Sequence, residues 1–156
     1  MNPCDAKAIA DKILEDFVDV CDDLGIRYCL LLGTCLGFYR DGGYILSDND
    51  IDIWVDCDTI ESECYTTLTK QLLELGFISL HSYHFYRDNI LIDAWTRDRL
   101  PPNQYCQPIP AILVLFLDTF DTIVYGDRIY NLPHPVEEYL EYTYEGDWRI
   151  PKRKGE

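Results

Sequence analysis

The chain has 156 residues, 47% of them hydrophobic, which is enough for a buried core and too apolar for a disordered segment. Its 28 acidic and 13 basic side chains leave a net charge of −15, which disfavours nucleic acid and anionic membranes as partners. With no leader pattern at Met1-Asn2-Pro3-Cys4-Asp5 and no transmembrane segment, the expectation is one cytoplasmic domain over residues 1–156.

The elements follow from periodicity. Asp5 reads as the N-cap of a helix to Leu24, with Ile9, Ile13, Phe17, Val20, Cys21 and Leu24 at helical spacing and Gly25 closing it. Residues 28–32 form a short apolar strand that ends at Gly33-Thr34. A helical turn follows through Tyr39, then the turn Asp41-Gly42-Gly43, then a strand to Val55. Thr59 opens a second helix with Leu68, Leu72, Leu73 and Leu75 on its apolar side and Gly76 at its end. Residues 77–86 and 90–96 read as the strands of a hairpin turned by Arg87-Asp88-Asn89. Beyond Pro101-Pro102, residues 111–117 and 122–129 read as strands and 136–142 as a last helix. The fold class is therefore α/β (α+β): a small mixed sheet with helices packed mainly on one side.

The seven cysteines, Cys4, Cys21, Cys29, Cys35, Cys57, Cys64 and Cys106, form no C-x-x-C pair, so reduced thiols are expected. Cys35 lies in a glycine-rich stretch and is assigned to packing. Lys152-Arg153-Lys154 reads as a solvated tail, His81 and His84 as a surface or hairpin pair, and Arg87 and Arg97 as surface charges.

Asp48, Asp50 and Asp52 occupy alternate positions in the strand that ends at Val55, which puts their carboxylates on one face and Ile51, Ile53 and Val55 on the other. Like charges about 7 Å apart repel by roughly 0.6 kcal/mol in water and by more in a sheltered site. A bound cation would reverse that cost. Asp-x-Asp-x-Asp also opens a calcium-binding EF-hand loop, but the sixth and twelfth positions are Ile53 and Thr59 instead of glycine and an acid. A better fit joins the aspartates to Gly33-Thr34, where a phosphate oxygen could meet backbone and hydroxyl, and to Asp93, an acid within the apolar strand Ile90-Leu91-Ile92-Asp93-Ala94-Trp95. Oxygen-held divalent ions there would clamp a pyrophosphate.

Gly33-Thr34-x-Leu36-Gly37-x-x-Arg40, Gly43-Tyr44-Ile45 and Asp48-Asn49-Asp50-Ile51-Asp52-Ile53 closely resemble the signature of LicD-type transferases, fukutin-related members of the DNA polymerase beta-like nucleotidyltransferase superfamily. Val136-Glu137-Glu138-Tyr139-Leu140, Tyr144, Gly146-Asp147-Trp148 and Pro151 resemble the closing motif. The resemblance implies transfer of a phosphorylated alcohol, such as phosphocholine or ribitol phosphate, from a CDP-activated donor to a glycan or other hydroxyl acceptor. Magnesium, one or two ions, or manganese in its place, would be the cofactor. By position, Asp50, Asp52 and Asp93 would be the catalytic and metal-binding residues, with Asp93 also a general base. Gly33, Thr34, Arg40 and Asp48 would serve the donor, Asp48 by orienting the site or a metal-bound water.

Ser47, Asn49 and Leu32 replace residues common in the family, and Glu145 is an extra residue in the closing motif. Two other functions fit the same residues: transfer of a nucleotidyl group from an NTP to a small hydroxylated acceptor, and nucleotide binding without catalysis.

Overall fold

In the computed structural model, residues 3–100 and 114–152 are described. They divide into two compact units, each made of two stretches of chain. The first comprises the chain to Tyr28 with Asn49–Arg99, and the second Cys29–Asp48 with the chain from Leu100.

The first unit begins with helix α1, Pro3–Leu24. Ile13, Leu14, Phe17, Val18 and Cys21 are buried along it, the stripe that a 3.6-residue repeat produces. Gly25 ends it in the left-handed conformation, at φ +68°. Asp5 lies inside the first turn rather than at the cap, where its charge still suits the helix dipole. Strand β1, Tyr28–Leu30, starts at the unit's edge. Strand β2, Asp50–Val55, pairs in parallel with β5, Ile90–Trp95. Strands β3, Ile78–His81, and β4, His84–Arg87, complete the run β2-β5-β4-β3 with antiparallel pairings, so the sheet is mixed. Helix α3, Glu63–Glu74, is capped by Ser62, whose hydroxyl accepts from the Tyr65 amide at 3.3 Å. Phe17 of α1 and Tyr65 of α3 both meet the ring of Phe85 on β4, at 5.9 and 6.1 Å between centroids, so both helices cover one face of the sheet.

Several expectations change here. The second helix starts at Glu63 rather than Thr59, and Leu73 and Leu75 are exposed. Residues 77–86 are two strands broken at Ser82-Tyr83, with a register shift between Ser79 and His81. The expected turn at Arg87-Asp88-Asn89 does form, with Asp88 and Asn89 both at positive φ (49° and 66°), the twist a tight hairpin needs. Arg87 is no loose surface charge: it donates to Asp16 of α1 at 2.6 Å and to the Leu75 carbonyl at 2.9 Å. Cys57 and Cys64 form a disulfide with 5.6 Å between Cα atoms, which corrects the expectation that all thiols are reduced.

In the second unit, α2 (Leu32–Leu36) runs directly into a π-helical turn, Gly37–Asp41. Hairpin strands β6, Phe120–Tyr125, and β7, Arg128–Pro133, replace the single strand expected at 122–129, because Gly126 turns the chain at φ +63°. Helix α4 is Val136–Tyr144. Asp121 of β6 accepts from the Val136 amide at 2.8 Å and so caps α4 from outside. Phe38 anchors this core, with the rings of Tyr125 at 4.6 Å, Tyr44 at 5.1 Å and Tyr130 at 5.7 Å. The strand expected at 111–117 falls partly outside the described residues, and its described part, from Val114, is a helical turn. Cys106, Arg153 and Lys154 also lie outside them. Among the described residues no helix is long and apolar enough to cross a membrane.

Candidate active site

In the first unit the parallel register sets Asp52 of β2 directly opposite Asp93 of β5. Neighbouring strands lie about 4.8 Å apart, so the two carboxylates are side by side. Both are buried, at 7% and 9% exposure, whereas Asp50 is exposed at the first position of β2. Trp54 is buried along with Ile51, Ile53 and Val55, so both faces of β2 are covered and the alternation is not simply inside against outside.

Each carboxylate has a dedicated partner. The indole Nε1 of Trp95 donates to Asp52 Oδ1 at 3.0 Å. The Arg99 guanidinium holds Asp93, with Nη1 to Oδ1 at 2.7 Å and Nη2 to Oδ2 at 3.4 Å. The guanidinium lies over the rings of Trp95 at 4.1 Å and Tyr83 at 4.2 Å. Trp95 thus binds one carboxylate with its edge and carries the other's countercharge on its face. Arg99 returns to its own strand because Thr96 and Arg99 exchange backbone hydrogen bonds at 3.1 and 3.2 Å. His84 Nε2 lies 3.5 Å from Asp93 Oδ1, and its ring meets that of His81 at 5.8 Å, so the expected hairpin pair also reaches the carboxylate. Arg97, by contrast, pairs with Asp56 Oδ1 at 2.5 Å and with Asp58 at 3.6 Å, and its side chain is 58% exposed.

Among the described residues no group of three or more His, Cys, Asp and Glu is gathered to hold a metal ion. Asp52 and Asp93 supply buried, adjacent carboxylate oxygens, the donor type magnesium takes, so the donor chemistry fits such an ion.

In the second unit, Asp48 does not belong to the strand; it lies before it, its amide donating to the Ile45 carbonyl at 3.0 Å. A Cβ at Gly33 would fall 2.2 Å from Asp48 Oδ2. The close approach that glycine permits is used by this carboxylate. Gly37 has a different reason to be glycine, since a Cβ there would meet the Gly43 carbonyl at 2.5 Å and the Ile45 amide nitrogen at 3.1 Å. Thr34 is buried within α2. Leu32, in the family's glycine position, stands at φ +47°, and its amide donates to the Tyr139 hydroxyl at 3.0 Å. Cys35 is fully buried, and burial pushes its thiol up with Asp121 adding to the effect, which fits packing rather than nucleophilic chemistry.

Arg40 is engaged within the protein. Its Nε and Nη2 donate to the two Asp41 oxygens, each at 2.7 Å, and Nη1 donates to the Trp148 carbonyl at 3.1 Å. Glu145, at φ +48°, carries the chain out of α4, and Trp148 turns back to donate its Nε1 to Glu141 at 3.0 Å. The Arg40 guanidinium is therefore one of the ties between the first signature and the closing motif.

Residues 25–106 match the LicD/FKTN/FKRP nucleotidyltransferase domain. The chain belongs to the LicD/FKTN/FKRP family. It is also 23% identical over 161 residues to the Mus musculus protein named ribitol-5-phosphate transferase FKTN, an alignment covering 91% of this chain. The chain spans about a third of the length of that relative, 33%. The LicD/FKTN/FKRP match contains Gly33, Thr34, Arg40, Asp48, Asp50, Asp52 and Asp93, and ends before the closing motif. The sequence alone missed Trp95 and Arg99. The alternate spacing of Asp93 and Trp95 on one strand was a usable signal, whereas nothing marked Arg99 ahead of the turn that folds it back.

Proposed function

We propose that this chain is a magnesium-dependent transferase that moves a phosphorylated alcohol from a CDP-activated donor to a hydroxyl acceptor. The observation that carries the reading is the buried pair Asp52–Asp93, fixed opposite each other in a chain of the LicD/FKTN/FKRP family. The mouse relative's name puts ribitol phosphate first among the groups transferred. Asp52 and Asp93 would hold the ion, with Asp50 completing the acidic set. Magnesium bound there would neutralise charge developing on the donor phosphates.

The acceptor hydroxyl oxygen bonds to the donor's β-phosphorus, the bond from that phosphorus to the bridging oxygen breaks, and CMP leaves with the bonding pair. The hydroxyl proton passes to a carboxylate, Asp93 being the one its family position assigns. Gly33 and Thr34 are assigned to the donor phosphates by their match to the signature, as is Asp48 to orientation of the site. Arg40 could take a phosphate only by giving up Asp41.

The test is calorimetric titration with CDP-ribitol, CDP-choline and CTP, with and without magnesium, on the wild-type chain and on Asp52→Asn. Products are then analysed with candidate glycan acceptors. Magnesium-dependent binding of a CDP-alcohol that the variant loses, with CMP released on turnover, is the expected result. Preference for CTP with release of pyrophosphate would replace this function by nucleotidyl transfer. Binding of equal strength in wild type and Asp52→Asn, with no turnover, would leave only a nucleotide-binding domain.

A further inference from the structure

Two adjacent buried carboxylates need a countercharge, and in the first unit Arg99 brings one to Asp93. A cation that takes the Asp93 carboxylate competes with that guanidinium for its oxygens and is repelled by its charge. Arg99 would not swing freely away, because its plane rests on Tyr83 and Trp95, at 4.2 and 4.1 Å from the ring centroids. Its NH groups would stay beside the carboxylates, with only the Ala94 carbonyl, 3.4 Å from Nη1, left to accept from them. A planar fork of donors suits the paired oxygens of a phosphate as well as those of a carboxylate.

We propose that Arg99 is a donor-phosphate ligand of this site, parked on Asp93 until a divalent cation claims that carboxylate. The inference rests on the function proposed above and adds to it a substrate contact outside the signature positions. The competing explanation is a structural ion pair that orients Asp93. The two predict opposite signs for the metal. As a parked ligand, Arg99 opposes the metal and favours the nucleotide. As a structural partner it supports both.

The experiment measures Mn²⁺ alone, and then CDP in saturating Mg²⁺, on the wild-type chain, Arg99→Gln and Arg99→Lys, with Arg97→Gln as a control at a pair that does not involve Asp93. Removing a partly exposed competing ion pair should tighten Mn²⁺ binding by about three- to tenfold in Arg99→Gln. Loss of a charged hydrogen-bond donor should weaken CDP by about tenfold or more in the same protein. Arg99→Lys, which keeps the charge and guards against a variant that does not fold, should move both affinities in the same directions by less. Arg97→Gln should move neither. Weaker binding of both ligands in the Arg99 variants would overturn the inference and leave the proposed function in place. Absence of Mn²⁺ binding from wild type and Arg99→Gln alike would remove the metal-dependent function first, and the inference with it.

Discussion

Gly37→Ala separates two reasons for a glycine within one motif. Gly37 has ordinary helical angles, φ −62° and ψ −47°, so alanine would by itself favour folding by about 1 kcal/mol. Its Cβ, however, would stand 2.5 Å from the Gly43 carbonyl, about 0.8 Å inside the closest ordinary carbon–oxygen approach of about 3.3 Å. The obstacle is backbone, braced by the Gly43 amide's own bond to the Gly37 carbonyl at 3.2 Å, so relief means moving the loop. Overpacking of this kind costs about 1–3 kcal/mol, and set against the helix gain the balance is a loss of up to about 2 kcal/mol. At about 2–4 °C per kcal/mol for a chain of this size, the midpoint should fall by up to about 8 °C. Gly33→Ala meets the end of the Asp48 side chain instead, which can rotate away, so stability should stay within about 1 kcal/mol of wild type while the carboxylate is displaced. Urea denaturation of both variants, read as a change in midpoint at constant slope, decides the matter. A Gly37→Ala protein more stable than wild type, or a Gly33→Ala protein that loses more than the Gly37→Ala one, would refute the argument.

Tyr139→Phe leaves the buried ring in place and removes the acceptor of the Leu32 amide, which should cost about 1–3 kcal/mol by chemical denaturation. Breaking Cys57–Cys64, with both replaced by serine, frees a closure across a sequence separation of 7 and should cost roughly 2 kcal/mol on the chain-entropy account, measured the same way. Burial raises the Asp16 carboxyl's pKa, but the hydrogen bonds from Lys12 and Arg87 outweigh it and leave the group below its ordinary value. Its contribution should therefore be complete well above about pH 4 and disappear as pH falls below that through the lowered folded value. Arg87→Gln should lessen the loss of stability over that acid range.

The legible parts of the fold were those with a local cause. Helix α1 showed its stripe and Gly25, and the hairpin at Asp88-Asn89 showed turn residues suited to positive φ. Gly126-Asp127 is an equally local turn signal, masked by the β-rich segments on either side of it. The break at Ser82-Tyr83 was hidden because aromatic and histidine residues continue a strand-like composition on both sides. Alternation persists through Asp48 and so predicts one strand for the aspartate row, but the chain is strand only from Asp50. Opposition of Asp52 and Asp93 is a matter of register between strands far apart in sequence, and no local pattern states a register. The same holds for Arg40, whose partner Trp148 is 108 residues away.

That last distance sets a schedule for the protein as it is made. The amide of Leu32, in a backbone geometry that a leucine resists, meets the Tyr139 hydroxyl 107 residues later, and Arg40 meets Trp148 after 108. At about 5–20 residues per second, the ribosome leaves the first signature without these partners for about 5–20 s. The signature around Gly33 is thus secured only after Tyr139 and Trp148 have been made, and a nascent chain stalled before Tyr139 would display it without these two ties.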